Sequence, residues 1–117
     1  MSAALPLLVA LLEVYAAGDI ADCRKSAAAE SVAARTAGLI PPGATVFVLG
    51  DTAYPSATQD ALEACYEPTW GRHRNATLAI PGNHDYIAGR TDDFLAYFGS
   101  GAASEGYFAR ELDGWLV

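Results

Sequence analysis

The chain is poor in the groups that ligate soft metals, bind nucleic acid or cross a membrane. Basic residues are scarce: 7 Lys and Arg stand against 14 Asp and Glu, a formal net charge of −7. That balance excludes a phosphate-backbone binder, which needs a basic footprint. Acidity suits hard cations instead, because they select carboxylates. Histidine occurs twice, as His73 and His84, and cysteine twice, as Cys23 and Cys65. The cysteine spacing is no zinc signature. The pair reads either as two small buried hydrophobes or as a disulfide pinning the loop after the first strand to the second helix, which requires an oxidising compartment. No apolar run approaches the roughly 20 residues of a membrane span. The run Leu5–Leu12 reads as an apolar lead-in to a buried first strand. Its other reading is a secretory signal, although no Lys or Arg precedes it. Localisation stays open, with secretion or a periplasmic site following from that second reading. A Gly-x-Ser-x-Gly elbow and a Gly-x-x-x-x-Gly-Lys loop are both missing, so neither a serine hydrolase nor a P-loop nucleotide enzyme is indicated.

What is present is globular. Residues are 52% hydrophobic and 18% charged, and 117 residues make one domain or part of one. A first strand fits Glu13–Ala17. A helix fits Arg24–Ala37, with Ala29, Val32, Ala33 and Thr36 on one face by helical spacing. Gly38 stops it and Pro41-Pro42-Gly43 forces a loop. Thr45–Leu49 is apolar without alternation, the pattern of a strand buried on both faces of a parallel sheet. A second helix fits Thr58–Tyr66, ended by Pro68. Thr77–Ile80 is a third strand, stopped by Pro81-Gly82. Thr91 is placed to cap a helix over Asp92–Phe98 whose first turn is acidic. Gly99–Gly106 reads as a flexible loop. Tyr107–Glu111 and Trp115–Val117 read as a hairpin across Leu112-Asp113-Gly114.

Three stretches share one design. They read Gly18-Asp19-Ile-Ala, Gly50-Asp51-Thr-Ala-Tyr54 and Gly82-Asn83-His84-Asp85, each after a small or apolar run. Asp19, Asp51 and Asn83 follow one another in equal steps of 32 residues. A strand, crossover helix and next strand take roughly 30 residues. Three oxygen donors are therefore expected at the ends of successive parallel strands, where an α/β sheet builds its sites. Either Gly-Asp alone is also ordinary turn chemistry. Gly-Asn-His-Asp is more specific, because an amide, an imidazole and a carboxylate in succession serve no packing purpose.

Taken together and in this order, the motifs resemble the calcineurin-like metallophosphoesterase superfamily. Tyr54 makes the purple acid phosphatase branch the nearest likeness, and Cys65-Tyr-Glu-Pro-Thr-Trp-Gly71 resembles bacterial members of that broad group. The resemblance spans about residues 12 to 117. It implies the N-terminal half of an α/β sandwich, with parallel βαβ units and a C-terminal hairpin, in a single domain covering 1–117. It further implies hydrolysis of a phosphate-ester small molecule by a hydroxide activated on two metal ions, iron paired with iron, zinc or manganese. Carried over by position, Asp19 would bind one ion, Asp51 would bridge both, Tyr54 would bind ferric iron and Asn83 the second ion. Asn83 and His84 would contact substrate, His84 would protonate the leaving oxygen and Asp85 would orient its ring. Tyr54 has a packing role as its plain alternative, and His73 reads as part of a solvated loop.

The sequence departs from the family in two ways. A single-histidine motif and a Gly-His-x-His pair that normally follow are missing, and the first motif lacks the Asp-x-His histidine of many members. The chain also stops within the apolar strand Trp115-Leu116-Val117, so a truncated domain is expected. Two outcomes compete: a metallophosphoesterase half, or a non-catalytic remnant with an incomplete metal site that self-associates through an uncovered sheet edge.

Overall fold

The computed structural model describes residues 3–4 and 11–117. The Leu5–Leu12 lead-in lies outside the described residues apart from Leu11 and Leu12. Among the described residues, no helix is long and apolar enough to cross a membrane.

The architecture is α/β. Strands β1 (Val14–Ala17), β2 (Thr45–Leu49) and β3 (Thr77–Ile80) form a parallel sheet in the order β1-β2-β3. The register pairs Ala17 with Val48 and Leu49 with Ile80, so all three strands run out at one edge. Crossovers of one hand between sequentially adjacent strands lie on one face of a sheet. Packing agrees with this. Val46, Val48 and Ala79 join one buried cluster with Ala33 and Ala37 from the first crossover, Leu62 and Tyr66 from the second, and Phe94 and Phe98 beyond β3. Each large side chain fully buried there contributes about 1.5–3 kcal/mol.

The opposite face is only partly covered. Phe47 is half-buried, and Leu49 stays 55% exposed. The expectation of a strand buried on both faces is thus corrected. Alternate residues of β2 differ in burial, because both connections pack on the same side. The second face carries a shallow apolar pocket of about 120 Å³, lined by Phe47, Leu49, Leu78 and Ile80 with Phe108 and Val117.

The helices are shorter than their periodicity suggested. Arg24–Ala37 contains a 3₁₀ turn (Ala28–Glu30) and then α1 (Val32–Ala37). Ser31 restarts the helix from an extended backbone, its hydroxyl accepting from Ala34 N at 3.2 Å. The buried face is Ala33 and Ala37, while Val32 is 62% exposed. The second helix begins as α2 (Gln59–Ala61) and continues as a π-helical turn, Leu62–Tyr66. Thr58 caps it by accepting from Ala61 N. Helix α3 (Asp92–Phe98) follows β3, but Thr91 makes no side-chain cap. Asp93 in its first turn instead accepts from Gln59 N at 2.9 Å, tying α3 to the start of α2.

The segment Gly99–Gly106 is more ordered than a flexible loop. It opens with a 3₁₀ turn, and Ala103 N donates to Ala79 O, which buries Ala103 beside β3. The hairpin pairs β4 (Glu111–Leu112) with β5 (Trp115–Leu116) across Asp113-Gly114 alone. Both turn residues have positive φ, 49° and 85°, as a two-residue turn of matching twist requires. Trp115, Leu116 and Val117 are exposed.

One residue read as peripheral is structural. His73 is buried, its Nε2 3.1 Å from Ala37 O, and so is not part of a solvated loop. Trp70 is buried, its Nε1 donating to Thr36 Oγ1 at 3.0 Å. Cys23 and Cys65 are disulfide-bonded, with Cα atoms 5.9 Å apart, so the pair is a cross-link rather than two packed thiols. It joins the loop after β1 to the π-helical turn across a separation of 42 residues. Closing a loop of that size restrains the unfolded chain by about 4 kcal/mol in the chain-entropy view. Reduction should therefore lower the thermal midpoint by roughly 10 °C or more, read by circular dichroism with and without reductant. An unchanged midpoint would contradict a cross-link that stabilises this fold.

Candidate metal centre

The sheet edge continues past its strands. Asp19 N donates to Gly50 O at 3.2 Å, Ile20 N to Asp51 O at 3.1 Å and Ala21 N to Thr52 O at 3.1 Å. Tyr54 N returns to Ala21 O at 2.9 Å. The loops after β1 and β2 are thereby zipped side by side, and Asp19 lies next to Asp51. Glycine makes the close packing feasible. A Cβ on Gly50 would sit 2.6 Å from Gly82 N, and one on Gly82 would strike the Asp51 carboxylate.

Asp19 and Asp51 adopt the same unusual backbone, with φ of 54° and 53°. The left-handed region disfavours residues with a Cβ, and aspartate is among the few that enter it. Two carboxylates are thus presented alike from neighbouring strand ends at a backbone cost. Such strain concentrates where function demands a geometry.

The two carboxylates meet on Tyr54. Its hydroxyl donates to Asp19 Oδ1 in a short contact and lies 3.2 Å from Asp51 Oδ2. The hydrogen bond to Asp19, then burial, then Asp51 push the phenol well above its ordinary range. One hydroxyl proton serves two anionic side chains, which otherwise repel. A cation would relieve that repulsion, and carboxylate and phenol oxygens suit hard ions. The donor set therefore fits a metal of that kind. Among the described residues, no three His, Cys, Asp or Glu side chains gather as a metal-holding group. The cluster is two carboxylates and a phenol.

Asn83 and His84 follow Gly82 on the next loop. Asn83 is exposed. His84 N donates to Asp51 Oδ1 at 2.9 Å, and His84 O accepts from Ala57 N at 2.9 Å. Its ring packs against Tyr54 with centroids 4.7 Å apart. His84 Nδ1 is 2.6 Å from Pro55 O. A carbonyl only accepts, so Nδ1 carries the hydrogen and Nε2 is left for another partner.

Asp85 does not orient that ring, which corrects the expected pairing. It is buried and accepts from Gly82 N (2.7 Å), Asp51 N (2.7 Å) and Thr52 N (3.0 Å), and from the Thr52 hydroxyl in a short contact. The geometry follows from the tight turn after Gly82, which points Asp85 inward beneath the loop and His84 outward. Thr52 and the Pro55 carbonyl are participants that motif reading passed over. A small hydroxyl directly after Gly-Asp was the available signal for Thr52. For the carbonyl there was none, since it depends on the loop path.

Replacing Asp85 by alanine strands several buried donors at once, each costly. Asp85→Ala should lose about 3–5 kcal/mol in urea unfolding, against under about 1 kcal/mol for Glu105→Ala in the exposed segment before the hairpin. Asp19→Asn should behave oppositely. It removes a like charge and should stabilise the metal-free chain by roughly 0.5–2 kcal/mol, as relief at functional sites commonly does. A destabilised Asp19→Asn would show that the two carboxylates are not in conflict.

Compared with known proteins, the chain matches no family model, no curated protein and no solved structure.

Proposed function

We propose that this chain is the metal-collecting part of a phosphate-ester hydrolase of the calcineurin-like metallophosphoesterase type, nearest in pattern to the purple acid phosphatases. The observation that carries the reading is the meeting of Asp19 and Asp51 on the Tyr54 hydroxyl at the carboxyl edge of a parallel sheet. Asp19, Asp51, Tyr54 and Asn83 would hold the ions. Bound there, two hard cations supply an activated water and charge neutralisation for the phosphoryl group. The protein's own groups do the rest. Asp85 holds Asp51 and the loop after β3 in one arrangement. The Pro55 carbonyl keeps the His84 ring beside Tyr54 with Nε2 free. A ring protonated on both nitrogens retains that bond and offers its Nε2 proton to the leaving oxygen.

A second reading, a non-catalytic chain with an incomplete metal site, is favoured by the histidines. His73 is engaged with Ala37 O, and His84 turns Nδ1 to Pro55. Neither imidazole ring is hydrogen-bonded to the Asp19 or Asp51 carboxylate, and His84 reaches Asp51 only through its backbone N. In this reading the ions bind weakly, and the exposed Trp115–Val117 edge promotes self-association.

Ferric iron and zinc added to the chain should give a violet phenolate-to-iron band that Tyr54→Phe abolishes. Little or no turnover of p-nitrophenyl phosphate is expected from the 117-residue chain. Absence of any bound metal would overturn the hydrolase reading. Brisk turnover lost in Asp51→Ala would overturn the non-catalytic one.

A further inference from the structure

We infer that Arg24 is the anion-recognition group of this site and that Asp22 is its positioning residue, an assignment that rests on the reading of a phosphate-ester site. The guanidinium carbon lies 5.6 Å from the centroid of the Tyr54 ring. The same ring packs on His84, so a guanidinium and an imidazole both lie against the ring whose hydroxyl joins the two carboxylates. Arg24 does not wave freely from its loop. Its Nε and Nη2 donate to Asp22 Oδ1 and Oδ2 at 2.8 and 2.6 Å, and its backbone N donates to the same carboxylate at 3.1 Å. A two-point grip fixes the plane of the guanidinium and leaves Nη1 unused by Asp22.

The site lies in a chain of net charge −7, where an approaching anion is repelled. A preset guanidinium is the group suited to a tetrahedral oxyanion, since its planar fork gives directed, charge-assisted donors at little entropic cost. Arg24 is also close in sequence to the cross-link at Cys23, which anchors this loop to the body of the fold. Anchorage, orientation and position against the Tyr54 ring converge on one side chain. The ligand class that fits is a phosphate monoester or inorganic phosphate, whose non-bridging oxygens would accept from Arg24.

The test uses the oxidised 117-residue chain loaded with ferric iron and zinc, with inorganic phosphate as the probe in calorimetry and bound metal measured in parallel. Arg24→Ala should hold the same metal as the parent and bind phosphate about tenfold or more weakly, the scale of a lost charge-assisted contact. Arg24→Lys should recover only part of the loss, since an ammonium keeps charge without the fork. Asp22→Asn should weaken binding less than Arg24→Ala. Unchanged phosphate affinity in Arg24→Ala, with metal retained, would overturn the assignment of Arg24 and leave the hydrolase reading standing. A parent chain that retains no metal would sink that reading and this inference with it. A parent that holds metal but no phosphate would remove the anion site while keeping the metal centre.

Discussion

The Asp85 carboxylate is the contact on which the site depends. It is buried, and it accepts from the backbone on both sides of the gap between the β2 and β3 loops. A buried carboxylate is tolerated only when its oxygens are well satisfied, and here three backbone N–H groups and a hydroxyl do so. In return it sets where Asp51 stands. With Asp51 held, its Oδ1 accepts from His84 N and its Oδ2 faces Tyr54. The most chemically specific motif of the chain thus spends its last residue on architecture, and that architecture aims the others.

Around this contact the fold is lopsided. Helices and turns pack on one face of a three-stranded sheet, while the other face keeps Phe47, Leu78 and Ile80 only partly covered. Small residues permit the crowding on the packed side. Ala21, Ala53 and Ala57 are fully buried, and Ala21 and Ala53 bridge the loops that carry Asp19 and Asp51. The disulfide adds a constraint from outside the sheet, because it anchors the β1 loop to the turn that supplies Tyr66. Sheet edge, cross-link and buried carboxylate hold the same few residues from three directions.

Stability and purpose pull against each other at the strand ends. Two aspartates in left-handed backbone, side by side and sharing one phenolic proton, are a poor choice for a fold judged by stability alone. Ordinary rules hold at a serine cap on α1, a threonine cap on α2 and an Asp-Gly turn in the hairpin, although Ala88 also takes a positive φ of 52°. Local rules fail together at Asp19, Asp51 and Tyr54, where a bound cation would reverse the sign of the electrostatics.

The sequence by itself determined the three strands, the hairpin turn and the common edge for Asp19 and Asp51. Strand ends read well because apolar β-branched runs stopped by Gly-Asp or Pro-Gly are local signals, and even spacing carries the parallel order. Tertiary structure decided the rest. It bonded Cys23 to Cys65, which spacing left open, since bridging depends on the distance between Cα atoms. It shortened the first helix, because Ser31 competes locally for the backbone and the neighbouring loop is tied down. It turned Asp85 inward and gave the His84 ring to Pro55, choices made by a tight turn between neighbours rather than by residue type. It also exposed one face of a strand that reads as wholly buried, because an apolar run records hydrophobicity, and only the path of the crossovers says which face is covered.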